Sequence, residues 1–163
     1  MSKRITIASA SSAEYFHFLQ GMEPTVSETY AVADYASPIE AARAFLSGPA
    51  AGHTPKRALI AAAGPVEHGR VAMTNAAWIV DSERISKGLA MTDVVVLNDF
   101  EALAWSLPAL HAEHLVTLGA PRAGDRGTMA VLGPGSGFGL AAMVKTASSR
   151  GTSAVTKFTS NAP

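Results

Sequence analysis

The fold is decided by the stretch Val94-Val95-Val96-Leu97-Asn98-Asp99-Phe100-Glu101, in which four apolar residues lead into a polar pair and then into helix-like sequence. So short an apolar run is typical of a strand that is buried on both faces. A similar run, Ala58–Ala63, precedes it and ends at Gly64-Pro65, and a helix predicted over Phe100–Leu107 is stopped by Pro108. Buried strands that alternate with helices predict an α/β domain with a parallel or mixed sheet.

The chain around this stretch divides into three zones of different composition. Residues 1–28 hold one short apolar alternation and then a Ser-rich stretch, and residues 29–144 carry the α/β pattern. Residues 145–163 consist mostly of Ser, Thr, Ala, Lys and Arg. We expect that last zone to be a disordered tail.

Composition excludes several classes of protein. The 163 residues allow one ordinary domain. The 13 basic and 13 acidic side chains give a net charge of zero, which argues against a nucleic-acid partner. The absence of Cys excludes a disulfide scaffold, a thiolate zinc site and a cysteine nucleophile. No apolar stretch approaches the roughly 20 residues of a membrane span, so we expect no membrane partner and a cytoplasmic protein.

The pair Asn98-Asp99 is the first candidate for chemistry. A carboxylate at the carboxyl end of a buried strand stands where ligands collect in open α/β sheets, and there it could serve as a general base. The same residues also fit a helix start, with Asn98 as the N-cap, Glu101 three residues later and Asp99 in the first turn. The two interpretations are compatible, because a capped turn is a rigid platform for a catalytic acid.

The glycine-rich run Gly133-Pro134-Gly135-Ser136-Gly137-Phe138-Gly139 is the second candidate, and it lies between two predicted strands. It lacks the Lys-Ser/Thr of a P-loop. Phe138 stands where a dinucleotide fingerprint has its third glycine, and Pro134 stands where a nucleophile elbow has its first. A hairpin whose loop binds phosphate and a simple tight glycine turn both remain open.

Two weaker patterns complete the set. Thr74-Asn75 interrupts strand-like sequence ahead of Trp78, and its side chains could bind hydroxyl groups of a ligand or form a local turn. His111 and His114 are spaced for one face of a helical turn, but two imidazoles without a placed carboxylate are a poor metal signal. We therefore predict no metal site built by protein side chains.

Taken together, these segments resemble the bacterial glucokinases, which are actin-like sugar kinases of the hexokinase type. The resemblance covers residues 29–144. It rests on four motifs in order and in register: Ala61–Val66, Val71–Asn75 with Trp78, Leu97–Ala102 and Gly133–Gly137.

The resemblance implies a ribonuclease-H-like (actin-like ATPase) fold, with a mixed sheet and flanking helices. It implies transfer of the ATP γ-phosphoryl group to the 6-hydroxyl of glucose, with ATP and Mg²⁺ as cofactors. Asp99 matches the family's general base, Asn98 matches a ligand of the sugar hydroxyls, and Thr74 and Asn75 match the sugar-side wall. Four residues match the second phosphate-binding segment: Gly133, Gly135, Ser136 and Gly137.

The chain departs from the family pattern at both ends. Ser9-Ala10-Ser11-Ser12 stands where the family has an Asp-x-Gly-Gly-Thr turn, and Lys145–Pro163 replaces a segment with Glu-Gly-Gly-His. We interpret the chain as a truncated N-terminal portion of a glucokinase, incomplete at both ends. The alternative is a catalytically inactive fragment that binds sugar weakly or acts as an interaction module. Apolar surface at the place of the missing domain would favour self-association.

Overall fold

The structure is a computed structural model that describes residues 4–9, 26–73, 76–119, 128–134, 138–145 and 153–160. The chain divides into two compact units, one formed by residues 1–18 and 22–98 and the other by residues 19–21 and 99–163. The boundary between them falls at the peptide bond that joins Asn98 to Asp99.

The first unit contains three two-stranded sheets. Its strands are Arg4–Ser9 (β1), Val26–Ala31 (β2), Arg57–Ala62 (β3), Arg70–Ala72 (β4), Ile79–Asp81 (β5) and Asp93–Asn98 (β6). β3 and β6 pair in parallel, whereas β1 pairs with β2 and β4 with β5 in antiparallel fashion. The parallel pair is the one that the two continuous apolar runs predict, because a strand buried on both faces needs no polar alternation.

Two helices of the first unit begin at side-chain caps. The helix Pro38–Ser47 (α1) follows Ser37, whose hydroxyl accepts a hydrogen bond from the backbone N–H of Glu40 at 3.3 Å. The helix Ser82–Leu89 (α2) follows Asp81, whose carboxylate accepts from the N–H of Arg84 at 3.0 Å. Each cap satisfies a backbone donor that the helix itself cannot satisfy.

The core of the first unit lies between the parallel strands, β4, β5 and α2. Its fully buried members are Ala62, Val71, Val80, Ile85 and Val96. A second cluster contains Val32, Ala41 and Trp78, whose indole Nε1–H donates to the carbonyl of Tyr35 at 3.0 Å. Trp78 is therefore a core residue, as its apolar context predicts.

The second unit packs one helix on one antiparallel sheet. The helix Asp99–Ser106 (α3) is followed by the strands Met129–Pro134 (β7), Phe138–Lys145 (β8) and Ser153–Ser160 (β9), in the sheet order β7-β8-β9. Ala104 of α3 is fully buried, as are Ala141 and Met143 of β8. Small residues at this contact let the helix backbone approach the strand closely.

The mixed α/β class is confirmed, but the single mixed sheet is not. In the residues that the structure describes, the strands form four separate small sheets, and three-residue strands such as β4 and β5 can sustain only a short ladder. Ser153–Ser160 lies inside the predicted tail and is assigned as a strand paired with β8. Among the described helices, none combines the length and apolar character needed to cross a membrane.

Candidate functional site

Asn98 is the last residue of β6. Its polar side chain is buried, with 2% of its surface exposed. Its Nδ2 donates a hydrogen bond to the carbonyl of Gly64 at 3.0 Å. The parallel register places Asn98 opposite Ala62, so the amide reaches across to the chain just beyond the end of β3. A buried amide with a fixed partner holds one orientation, because an unpaired polar group at such a place is costly.

Gly64 supports this contact through its backbone conformation. Its φ of +135° belongs to a region that glycine adopts readily and side chains do not. A Cβ placed there would approach Val71 Cγ1 to 3.2 Å. The glycine therefore lets the loop turn tightly and present its carbonyl to Asn98.

Asp99 is the first residue of α3 and is half-buried. Its Oδ1 accepts a hydrogen bond from the N–H of Phe100 at 3.0 Å. The partial positive charge of a helix N-terminus favours a carboxylate at this position. Asp99 thus presents a carboxylate at the start of α3, and the backbone N–H of the next residue holds that carboxylate in place.

The two ends of the glycine-rich run lie on the paired antiparallel strands β7 and β8. Gly133 and Gly139 are opposite each other in the register, and both face the ring of Phe100. A Cβ on Gly133 would lie 3.4 Å from Cζ of that ring, which is an ordinary contact. A Cβ on Gly139 would overlap the ring at Cδ2, Cε2 and Cζ. Gly139 therefore makes room for the Phe100 ring, a role that the sequence pattern did not predict.

Several predicted site residues lie outside the described residues: Thr74, Asn75, Gly135, Ser136 and Gly137. Met73, which precedes the first pair, donates its N–H to the carbonyl of Trp78 at 3.1 Å. The roles assigned to these side chains remain predictions.

The two histidines of the weak metal pattern cap a short 3₁₀ turn, Ala112–His114. His114 Nδ1 accepts a hydrogen bond from the N–H of His111 at 3.1 Å, and the imidazole of His111 accepts in return from the N–H of His114. Within the described ranges there is no group of three His, Asp, Glu or Cys side chains that could hold a metal ion. The i, i+3 spacing of His111 and His114 is therefore explained by the hydrogen bonds that each imidazole accepts from the backbone N–H of the other residue.

The sequence predicts Asn98 and Asp99 as site residues, a role that remains a prediction, but it does not predict the contacts that these residues make. The pattern indicates Gly64 only as the end of a strand, and it does not predict that the ring of Phe100 packs on Gly139. Gly64-Pro65 directly after a buried strand and a glycine directly after Phe138 are the signals that could have drawn attention to them. Both contacts join residues far apart along the chain, and for Asn98 and Gly64 the separation is 34 residues.

Comparisons with known proteins agree on one family. The family profile described as Glucokinase matches residues 9–156. The glucokinase of Chelativorans sp. (strain BNC1) is 43% identical over 90 residues, which are 55% of this chain and 26% of that protein. The glucokinase of Caulobacter sp. (strain K31) is 35% identical over 126 residues, which are 77% of this chain and 37% of that protein.

A solved structure gives the same result for the fold. A crystal structure of glucokinase from an Antarctic psychrotroph superimposes with a TM-score of 0.77 at 32% identity. The match covers 95% of this chain and 46% of that chain. The chain thus spans less than half the length of the proteins to which it is similar.

Proposed function

The chain belongs to the glucokinase family, and on that premise we propose that it carries the general base for transfer of the ATP γ-phosphoryl group to glucose. The base is Asp99. The observation that supports this role best is its location: it follows Asn98, the buried and hydrogen-bonded last residue of a parallel strand. Ligands of open α/β sheets collect at that end of the strands.

The proposed reaction needs one proton acceptor and one fixed direction of attack. The 6-hydroxyl of glucose gives its proton to a carboxylate oxygen of Asp99 as its own oxygen forms a bond to the γ-phosphorus. The bond from that phosphorus to the bridging oxygen breaks, and ADP leaves with the electron pair. Because such transfers depend mainly on positioning and on neutralising charge, the hydrogen bond from Phe100 N–H to Asp99 Oδ1 is useful: it fixes the carboxylate before the sugar arrives.

Sugar binding is proposed for Asn98 and for the loop that holds Thr74 and Asn75. The support for Asn98 is its place next to Asp99 at the end of the parallel strand, together with an amide that carries both a donor and an acceptor group and is held by its hydrogen bond to Gly64. A site that pairs its polar groups with sugar hydroxyls discriminates strongly against analogues that lack them.

ATP and Mg²⁺ are the proposed cofactors, and the family match supports them. Glycine-rich backbone can bring N–H groups close to phosphate oxygens, and the proposed contacts are those of Gly133, Gly135, Ser136 and Gly137. Magnesium that is bound with a nucleotide keeps phosphate and water ligands and needs only one or two carboxylates. When bound, Mg-ATP supplies the phosphoryl group and offsets its charge.

A second candidate function is suggested by the share of its relatives' length that this chain covers. It covers 26% and 37% of the two bacterial glucokinases described above, and kinase active sites that close over their substrates need residues from both sides of a cleft. The alternative is therefore a chain that binds glucose weakly or serves as an interaction module, without turnover.

The deciding experiment measures glucose 6-phosphate formed from glucose and Mg-ATP by the purified chain and by Asp99→Asn. Loss of a general base typically lowers the rate by about 10²- to 10⁴-fold, and we expect that loss here. Asp34→Asn, the same change at an exposed position of the first unit, is the matched control and should keep wild-type turnover. Equal turnover in the Asp99→Asn variant would refute the assignment of the base. Sugar binding without turnover by the folded wild-type chain would favour the second candidate.

A further inference from the structure

Phe100 is the residue through which Asp99 and the glycine hairpin are connected within the second unit. Its backbone N–H donates to Asp99 Oδ1 at 3.0 Å. Its ring occupies the space above Gly133 and Gly139, on the two strands that flank the glycine turn. One residue therefore contacts the proposed base with its backbone and the proposed phosphate loop with its side chain.

The contact between the Phe100 ring and Gly139 requires glycine at position 139, because any Cβ there would overlap the ring. Gly139 is buried, and an alanine there would overlap three atoms of the Phe100 ring. A Cβ on the opposite glycine would lie at an ordinary van der Waals distance from the ring, so of the two positions Gly139 is the one that excludes a side chain. The half-buried ring packs directly on the backbone of Gly139, and this close contact limits the positions that the start of α3 can take on the two strands.

We propose that Phe100 is a positioning residue: its ring, packed over Gly133 and Gly139, holds the Asp99 carboxylate in place relative to the paired ends of β7 and β8. This inference rests on the proposed function. Phe100 itself touches neither substrate nor the reacting atoms. Its effect is on geometry, and a displacement of about 1 Å in such a site can reduce the rate on the order of 10²-fold.

The first test compares Phe100→Leu with Phe45→Leu. Both remove a phenyl ring, and Phe45 is a fully buried residue of α1 in the first unit, far from any proposed role. We expect Phe100→Leu to lower kcat about 10- to 100-fold while the KM for glucose changes little, because orientation is lost and sugar contacts are kept. Phe45→Leu should lower thermal stability and keep kcat per folded molecule. Equal kcat in wild type and Phe100→Leu would overturn the inference.

A double-mutant cycle gives a second and independent reading. Gly139→Ala should reduce kcat strongly in the wild-type background and little further in the Phe100→Ala background, since the ring that the new methyl displaces is then absent. Additive effects would show that Gly139 acts without Phe100 and would overturn the inference.

A binding measurement separates the inference from the proposed function. In wild type, titration with the magnesium complex of a non-hydrolysable ATP analogue should shift the NMR signals of the amides of the hairpin and of Asp99 and Phe100 together. In Phe100→Ala the hairpin amides should still shift and the Asp99 amide should not. Coupled shifts that persist in the variant contradict only the positioning role. A wild-type chain that neither binds the analogue nor forms product contradicts the proposed function, and the positioning role with it.

Discussion

Gly64 and Gly139 hold their neighbours in opposite ways. Gly64 contributes an atom, the carbonyl oxygen that accepts from Asn98. Gly139 contributes space, because the ring of Phe100 lies where the Cβ of any other residue would be. The first contact is directional and is broken when a partner is removed. The second depends on shape and is broken when an atom is added.

These two contacts fix the residues on either side of Asp99. The residue before it is anchored in the first unit and the residue after it in the second. Asp99 is thus supported by the interactions of its two chain neighbours, in addition to the hydrogen bond that its own carboxylate accepts from Phe100. The comparison can be tested by adding an atom at one glycine and removing a partner at the other.

The largest expected effect comes from adding a methyl group at Gly139. Gly139→Ala should lower the free energy of unfolding by about 3 kcal/mol, at the upper end of the cost of overpacking, because the Phe100 ring must leave its place. Gly133→Ala is the matched change on the opposite strand, and its Cβ would sit 3.4 Å from the ring. It should stay within about 1 kcal/mol of wild type. Equal losses in denaturant titrations would contradict the shape argument.

A smaller loss is expected when Asn98 is removed. Asn98→Ala should cost about 2 kcal/mol in unfolding free energy, since a buried side chain is truncated and the half-buried Gly64 carbonyl loses its hydrogen bond. Thr92→Ala provides the control: Thr92 Oγ1 donates to the Lys56 carbonyl at 3.0 Å, but in an exposed place where water can take over. If the two substitutions cost the same in chemical denaturation, burial does not decide the strength of the Asn98 contact.

The smallest effect on stability is expected for two exposed apolar side chains that take part in neither the Asn98–Gly64 hydrogen bond nor the Phe100–Gly139 contact. Val116 and Leu118 of the second unit are 87% and 92% exposed. Replacing both with Ser should change the free energy of unfolding by no more than about 0.5 kcal/mol. We expect it to reduce self-association of the chain in sedimentation velocity, because exposed apolar side chains favour contacts between copies. Unchanged sedimentation would place any self-association elsewhere.

Local patterns were sufficient to predict most elements of the fold. The two continuous apolar runs form the parallel pair β3 and β6, and the strands predicted on either side of the glycine run form the antiparallel pair β7 and β8. Asp81 caps α2, as its place before a helical pattern indicates. These features depend on neighbours within a few residues, where periodicity and caps are informative.

The support around the candidate site could not be predicted in the same way. The hydrogen bond from Asn98 to Gly64 crosses between two strands, and the contact of Phe100 with Gly139 requires a helix to lie on a hairpin. Such contacts follow from tertiary packing, which a single sequence does not encode as a local pattern. The described strands form four small sheets, and the mixed sheet that the resemblance implies could not be specified further, because strand order is a tertiary property.

Each of the two units contains one of the two tryptophans of the chain, so intrinsic fluorescence can report on each unit separately. Trp78 is buried in the first unit with its indole N–H bound to the Tyr35 carbonyl, and Trp105 is half-buried on α3 in the second. Their emission should differ in wavelength, because an indole in an apolar environment emits further to the blue than one near water. Fluorescence of a variant that keeps one tryptophan therefore follows the melting of one unit at a time.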